Sequence, residues 1–193
     1  MNSRLLLLLC LPFALLSCST LKPVKDPASR HLLDPAVPYR AGHSSRPSLA
    51  IARPALPAYL DRQQIVTRDG TGAIKIQDNT LWSEPLDSGI ARVTAANLSR
   101  LTGSTSILPV GDFISLDYTG LLELRIAQFD PDATGSMILE CTWRVQPVRG
   151  SDVAFRSFRT VVLITPTLPP MTGRISAMNE ALGRLARDIA RSL

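Results

Sequence analysis

Residues 137–146 read MILECTWRVQ, and the order of side chains in this stretch decides how the rest of the chain is interpreted. Apolar and mostly polar residues alternate along it. Successive side chains of a strand point to opposite faces, so period two predicts a strand with one buried and one wetted face. Strands of this kind are typical of antiparallel sheets. The predicted apolar face consists of Met137, Leu139, Cys141, Trp143 and Val145.

Strand-like segments flank this stretch on both sides. Residues 121–129 end at the turn signal Asp130-Pro131-Asp132, and residues 153–164 follow a turn at 149–152. Because short turns join antiparallel neighbours, the three segments predict a meander.

Three shorter strands are predicted nearer the N-terminus. Residues 49–51 form an apolar run that ends before Pro54, and residues 65–67 and 74–76 surround a glycine-rich turn at 69–72. The last two segments predict a hairpin.

Two segments have helical spacing. The apolar residues of 86–101 recur every three or four positions, and Gly103 follows where helix C-termini favour glycine. Residues 175–189 place apolar side chains on one face and arginines on the other. We predict that this second helix covers the sheet rather than a membrane surface, because the apolar sheet face needs a cover. The fold class is α+β, a mixed or antiparallel sheet with two main helices packed on one face.

The N-terminus has the features of a bacterial lipoprotein signal. Arg4 precedes an apolar run at 5–16, which is shorter than the ~20 residues that a membrane-spanning helix needs. Leu15-Leu16-Ser17-Cys18 resembles a lipobox, so residues 1–17 are predicted to be removed and Cys18 to be acylated. Ser19 favours the outer membrane, at its periplasmic face. A chance cysteine after an ordinary signal peptide is the alternative.

The mature chain divides into a tether and a domain. Residues 18–47 are rich in proline and are predicted to form the acylated cysteine and its spacer, with one edge strand at 30–34. Residues 48–193 are predicted to form the folded domain.

The composition argues against several classes of function. Cys141 is the single cysteine that follows Cys18 in the sequence, so we expect no disulfide within the domain. The domain also lacks the cluster of Cys and His residues that a zinc site needs. Both histidines, His31 and His43, fall in the predicted spacer, which leaves no base for a catalytic triad. The net charge of +5 comes from scattered arginines, so we expect no nucleic-acid partner. We predict no cofactor, no metal and no catalytic residues.

A family resemblance rests on three segments. Residues 56–68 read LPAYLDRQQIVTR and are similar to the LPxYLDRPQIVxR segment of PqiC-type (YmbA-like) ABC-type transport auxiliary lipoproteins, with Gln63 in place of the usual proline. WSEPL at 82–86 is similar to their W-x-E-P-L segment. Residues 90–101 are similar to their I-x-R-V-x-x-x-N-L-x-x-L helix.

The resemblance implies a fold and a role. It implies a sandwich related to the TolB N-terminal domain and an outer-membrane lipoprotein that is not an enzyme. It also implies work with an Mce-domain (PqiB-like) protein and a permease complex in lipid transport between membranes, and self-association, with a ring as one form. The competing functions are a structural envelope-assembly lipoprotein and a secreted hydrolase.

Four residues are candidates for partner binding. Tyr59, Asp61 and Arg62 lie at the proline corner of the family motif, which is interpreted either as a conformational corner with Tyr59 on the core or as a docking loop. Phe158 shares a strand face with Val162, and both are predicted to lie with Ile138 on the open face of the sheet. An apolar open face predicts a subunit surface.

Overall fold

Eight strands and two helices make up the fold in the computed structural model, which describes residues 26–39, 47–69, 71–112, 117–132 and 134–193. The strands form a three-stranded sheet in the order β1-β4-β3 and a five-stranded sheet in the order β5-β2-β6-β7-β8. The elements, in chain order, are β1 (Ser29–His31), β2 (Leu49–Ile51), β3 (Gln64–Arg68), β4 (Ile74–Trp82), α1 (Leu86–Thr102), β5 (Ile107–Pro109), β6 (Gly120–Pro131), β7 (Ser136–Pro147), β8 (Arg156–Leu163) and α2 (Pro170–Ala190).

The predicted meander and hairpin are both present. Strands β6, β7 and β8 pair antiparallel in sequence order, and β3 pairs antiparallel with β4. Strand β2 lies between β5 and β6 and is parallel to both, so the larger sheet is mixed. The third meander strand is shorter than predicted, because it begins at Arg156 rather than at residue 153.

The two helices cover the face of the large sheet that carries Met137, Leu139, Cys141 and Trp143, here called the inner face. Helix α1 packs on β5 and β2, α2 packs on β8, β7 and β6, and the helices pack on each other. Helix α1 ends at Gly103, whose φ of 70° is left-handed and whose N–H donates to the carbonyl of Ser99. The α+β prediction with two helices on one face is confirmed.

The fold begins well before the predicted domain start at Ser48, and the strand predicted near residues 30–34 is present as β1, the first strand of the domain. Strand β1 pairs in parallel with the end of β4, so His31 belongs to a sheet and not to a spacer. Leu33 and Val37 are buried in the interior. Of the predicted tether at 18–47, residues 29–37 are therefore part of the domain, while 18–25 and 40–46 lie outside the described residues.

Side chains of both helices hold the segment 33–37, here called the N-terminal strap. The N–H groups of Asp34 and Val37 donate to the side-chain oxygens of Asn179 and Asn97, at 2.9 and 3.1 Å. Arg92 donates to the carbonyl of Leu33 at 2.8 Å, and Arg100 donates to the carbonyls of Pro35 and Val37 at 3.1 and 3.0 Å. A backbone without regular pairing is satisfied in this way by side chains. The sequence carried one signal of it, the polar Asn97 among the apolar residues of α1.

The predicted open face of the meander is also wrong. Directly paired residues share a face, and Phe158 pairs with Cys141 while Val162 pairs with Met137. Phe158 and Val162 therefore lie on the inner face, where Val162 is buried and Phe158 packs against the core. Ile138 does lie on the outer face, but it is 8% exposed. The alternation of β8 is ambiguous because both of its faces carry apolar residues.

Candidate partner-binding site

The corner that carries Tyr59 is fixed by a buried carboxylate. The hydroxyl of Tyr59 donates to Oδ2 of Asp130, and Asp130 is only 1% exposed. Gln128 Nε2 donates to Oδ1 of Asp130 at 2.9 Å, and Arg68 Nε donates to the same oxygen at 3.3 Å. The guanidinium of Arg68 also lies 5.0 Å from the centre of the Tyr59 ring. The structure thus favours the conformational corner for Tyr59 over a free docking side chain.

The turn signal at 130–132 predicts that Asp130 lies in a turn, but the structure places Asp130 within β6. Pairing between β6 and β7 shifts at Ile126 and Gln128, where the strand bulges. Beyond this bulge, Asp130 pairs with Ile138, and its carboxylate meets Tyr59 from a distant part of the chain. Asp132 is the turn residue, since its carboxylate accepts from the backbone N–H groups of Thr134 and Ser136.

The environment of Tyr59 changes its acidity. Burial, followed by the hydrogen bond to Asp130 and the charge of that carboxylate, raises the pKa of Tyr59 from 10.0 to about 12. All three effects disfavour a second negative charge next to Asp130. The hydroxyl therefore stays protonated, as a donor, over the whole physiological range.

Asp61 and Arg62 lie on the surface beside this corner. Both residues are exposed, and neither has an ion pair with any part of the chain that the structure describes. They line a groove of about 290 Å³ together with Arg30, Trp82 and Glu84. The groove brings residues of β1, of the corner and of the segment before α1 to one place. This geometry is compatible with contact to a partner, so Asp61 and Arg62 remain candidates.

The other two predicted sites differ in their outcome. Phe158 lies on the inner face, half-buried and packed against the core, and not on the open face predicted for it. Cys18 lies outside the described residues, so its acylation remains a prediction.

The structure shows neither a cluster of metal-ligating residues nor a helix suited to cross a membrane within its described ranges. No group of three or more His, Cys, Asp or Glu residues there could hold a metal ion. Neither α1 nor α2 is both long and apolar enough to span a bilayer. The thiol of Cys141 is buried, and burial raises its pKa to about 12.

Comparison with known proteins identifies the family. The sequence model of one protein family, described as the ABC-type transport auxiliary lipoprotein component, matches residues 31–190 of this chain. The chain belongs to this family. The resemblance to PqiC-type auxiliary lipoproteins is thereby confirmed, and the match begins inside β1, in agreement with the early start of the fold.

Solved structures agree with this fold. The chain is similar to a crystal structure of an uncharacterized protein, with a TM-score of 0.68 at 18% identity, covering 86% of this chain and 97% of that one. It is also similar to a DUF330-family protein from Xanthomonas campestris, with a TM-score of 0.69 at 15% identity, covering 84% and 93%. A search of the curated proteins found no match. At these identities the similarity concerns the fold alone.

Proposed function

We propose that this chain is a non-catalytic lipoprotein of the outer membrane that serves an Mce/Pqi-type system moving lipid between two membranes and so maintaining the envelope. The observation that carries the proposal is the family match over residues 31–190, in a chain whose residues 15–18 resemble a lipobox. We expect an auxiliary component of this kind to act by holding a partner in place. A docking surface and a membrane anchor are then the features that matter.

The early start of the fold sets how far the domain reaches from the membrane. Ser29 lies eleven positions after Cys18, and a fully extended chain over eleven steps spans at most roughly 40 Å. A tether running to residue 47 would allow more than twice that distance. The proposal therefore places the domain, and the groove at Asp61, close to the membrane that holds the acyl chains.

Co-purification tests the transport role. The acylated protein is isolated with an affinity tag from cells that carry an Mce-domain protein and its permease, and the partner is measured in the eluate. We expect recovery of the Mce-domain protein, and loss of a membrane-bound complex for Cys18→Ala. Absence of any transport component with the acylated protein would contradict the proposal and favour a structural envelope role. Turnover of an ester or glycoside by the purified protein would favour the hydrolase.

The groove at Asp61 and Arg62 is proposed to be the docking surface. Reversing both charges, in Asp61→Lys with Arg62→Glu, keeps the net charge and changes its arrangement. We expect the partner yield to fall by about tenfold or more, because opposed like charges at an interface are strongly unfavourable. The matched control is Asp78→Lys with Lys75→Glu on the exposed strand β4, which should leave the yield unchanged. Equal partner yields for both double variants would contradict docking at Asp61 and Arg62 and would leave the conformational corner as the interpretation of this motif.

Self-association is proposed on the outer face of β8 and not on Phe158. Strand β8 is an edge of the large sheet, and its outer face exposes Val161 at 40% and Leu163 at 80%. A second copy of the chain fits an exposed apolar edge of this kind. By light scattering, Leu163→Asp should lower the mass of the oligomer with an intact circular-dichroism spectrum. Phe158→Asp should instead lower the stability of the fold. A strict monomer at tens of micromolar before any substitution would contradict self-association.

A further inference from the structure

A cavity of about 440 Å³ opens beside the C-terminal end of α2, at the end of the inner face of the large sheet. Gly120 at the start of β6, Val145 near the end of β7, and Leu193 after α2 bound it. Its volume lies within the ~300–1,000 Å³ typical of sites that bind small molecules. None of the candidate partner-binding residues lines it.

Polar and apolar side chains share the wall of the cavity, and its apolar part is aliphatic. Leu49 of β2, Val145 of β7 and Val153 of the loop before β8 supply aliphatic side chains from three parts of the chain, and Leu193 adds a fourth. This aliphatic part of the wall favours contact with a hydrocarbon group, because the hydrophobic effect scales with the area removed from water.

One polar group on the wall lacks a partner. Trp143 lines the cavity and is 2% exposed, and its indole Nε1 has no hydrogen-bond acceptor among the described residues. Buried donors in native proteins are nearly always bonded, so an unpaired one calls for an explanation. The Nε1 atom itself is closed off from solvent, so the indole offers its ring to the cavity and a ligand oxygen would reach the N–H only after neighbouring side chains move aside.

A cation lies next to this donor. Arg156 pairs directly with Trp143 across β7 and β8, also lines the cavity, and holds its guanidinium carbon 5.4 Å from the centre of the indole ring. Arg156 is exposed, and no carboxylate within the described ranges forms an ion pair with it. Guanidinium groups bind carboxylate and phosphate oxygens through several donors at once. The cation therefore marks the place of an anionic head, and the aliphatic part of the wall marks the place of a chain.

We propose that this cavity binds a single-chain anionic amphiphile, with a carboxylate or phosphate head at Arg156, beside the Trp143 ring, and the hydrocarbon chain along Leu49, Val145 and Val153. The site is a property of this domain alone. A chain that failed to capture a transport partner would still bind such a ligand, so the outcome is independent of the proposed transport role.

Fluorescence titration with dodecanoate tests the site. The protein is the chain from residue 18 onward with Cys18→Ser, which carries no acyl group and needs no detergent. Trp82 and Trp143 are its two tryptophans, so Trp82→Phe makes Trp143 the only emitter. We expect saturable change of the Trp143 emission below the micelle concentration of dodecanoate, together with heat release in calorimetry. Dodecyl phosphate should bind as well, because it has the same combination of charge and chain.

Arg156→Gln is the decisive variant and has a matched control on the same strand. It should raise the Kd for dodecanoate by about tenfold or more, since hydrogen bonds to charged groups contribute that much. Arg159→Gln removes the same charge on the opposite face of β8 and should change the Kd by less than about twofold. Dodecanol, which has the chain without the charge, should bind at least tenfold more weakly, and acetate should not compete.

Four results would overturn the proposal. They are no emission change and no heat with dodecanoate, equal weakening by Arg156→Gln and Arg159→Gln, equal affinity for dodecanol and dodecanoate, and displacement of dodecanoate by acetate at the same concentration. The last would indicate a simple anion site. Because Arg156 is exposed, its substitution leaves the fold intact and these outcomes stay interpretable.

Discussion

Substitution of Asp130 tests whether one buried carboxylate holds the Tyr59 corner. Asp130→Ala removes the acceptor of Tyr59, Gln128 and Arg68 together. Breaking a buried ion pair typically costs about 3–5 kcal/mol, because the remaining charge stays desolvated. The Arg68 side chain is 32% exposed while that of Asp130 is 1% exposed. Water can therefore solvate the orphaned guanidinium, and we expect the lower end, about 3 kcal/mol of unfolding free energy.

Urea denaturation of the unacylated chain measures this loss. With an m-value of about 2 kcal/mol/M, a loss of about 3 kcal/mol lowers the midpoint by roughly 1.5 M. Asp130→Asn keeps an acceptor and loses the charge, so it should cost about 1–2 kcal/mol. Asp78→Ala, at an exposed position of β4, is the control and should stay within about 0.5 kcal/mol. A midpoint for Asp130→Ala equal to that of Asp78→Ala would refute the role assigned to the carboxylate.

Three further predictions follow from the buried groups. The folded pKa of Tyr59 is about 12 and lies above the ordinary 10.0, so the contribution of Tyr59 to stability is complete below pH 10 and is lost as the pH rises toward 12. The absorbance step of tyrosinate formation near pH 12 should vanish in Tyr59→Phe. A step that survives this substitution would belong to another group. Cys141 is buried and its pKa is raised, so a disulfide reagent at pH 8 should label the native Cys18→Ser chain slowly. In urea the same chain should be labelled at the rate of a free thiol. Fast labelling of the native chain would show that the thiol is accessible. A chain that begins at Ser48 loses the N-terminal strap with buried Leu33 and should be several kcal/mol less stable in urea than one that begins at Asp26; equal midpoints would mean that the strap adds nothing to the fold.

Local patterns in the sequence were sufficient for the class of fold and for the longest strands and helices, but they missed β5 and the extension of β4 to Trp82. Period two over 137–146 and helical spacing over 86–101 record which side chains avoid water, and each strand or helix responds to that pattern within a few residues. Gly103 placed the end of α1 correctly because a left-handed residue there needs no side chain. The family resemblance at 56–68 was likewise contained in one contiguous segment, and the match over 31–190 confirms it.

The sequence also determined, by itself, that apolar residues of β8 would be divided between two faces, but not which face meets the helices. Register against β7 decided that, because Phe158 opposes Cys141 and this pairing places it inward. The strap at 33–37 and the Tyr59 to Asp130 contact depended equally on tertiary structure. In the strap, the N–H of Val37 donates to the side chain of Asn97, 60 positions further along the chain. At the corner, the hydroxyl of Tyr59 donates to the carboxylate of Asp130, which lies 71 positions further on, in a bulged strand. No periodicity records such contacts, since a single hydrogen bond leaves no repeating signal along the chain, and only the packing of helices, strap and sheets brings the partners together.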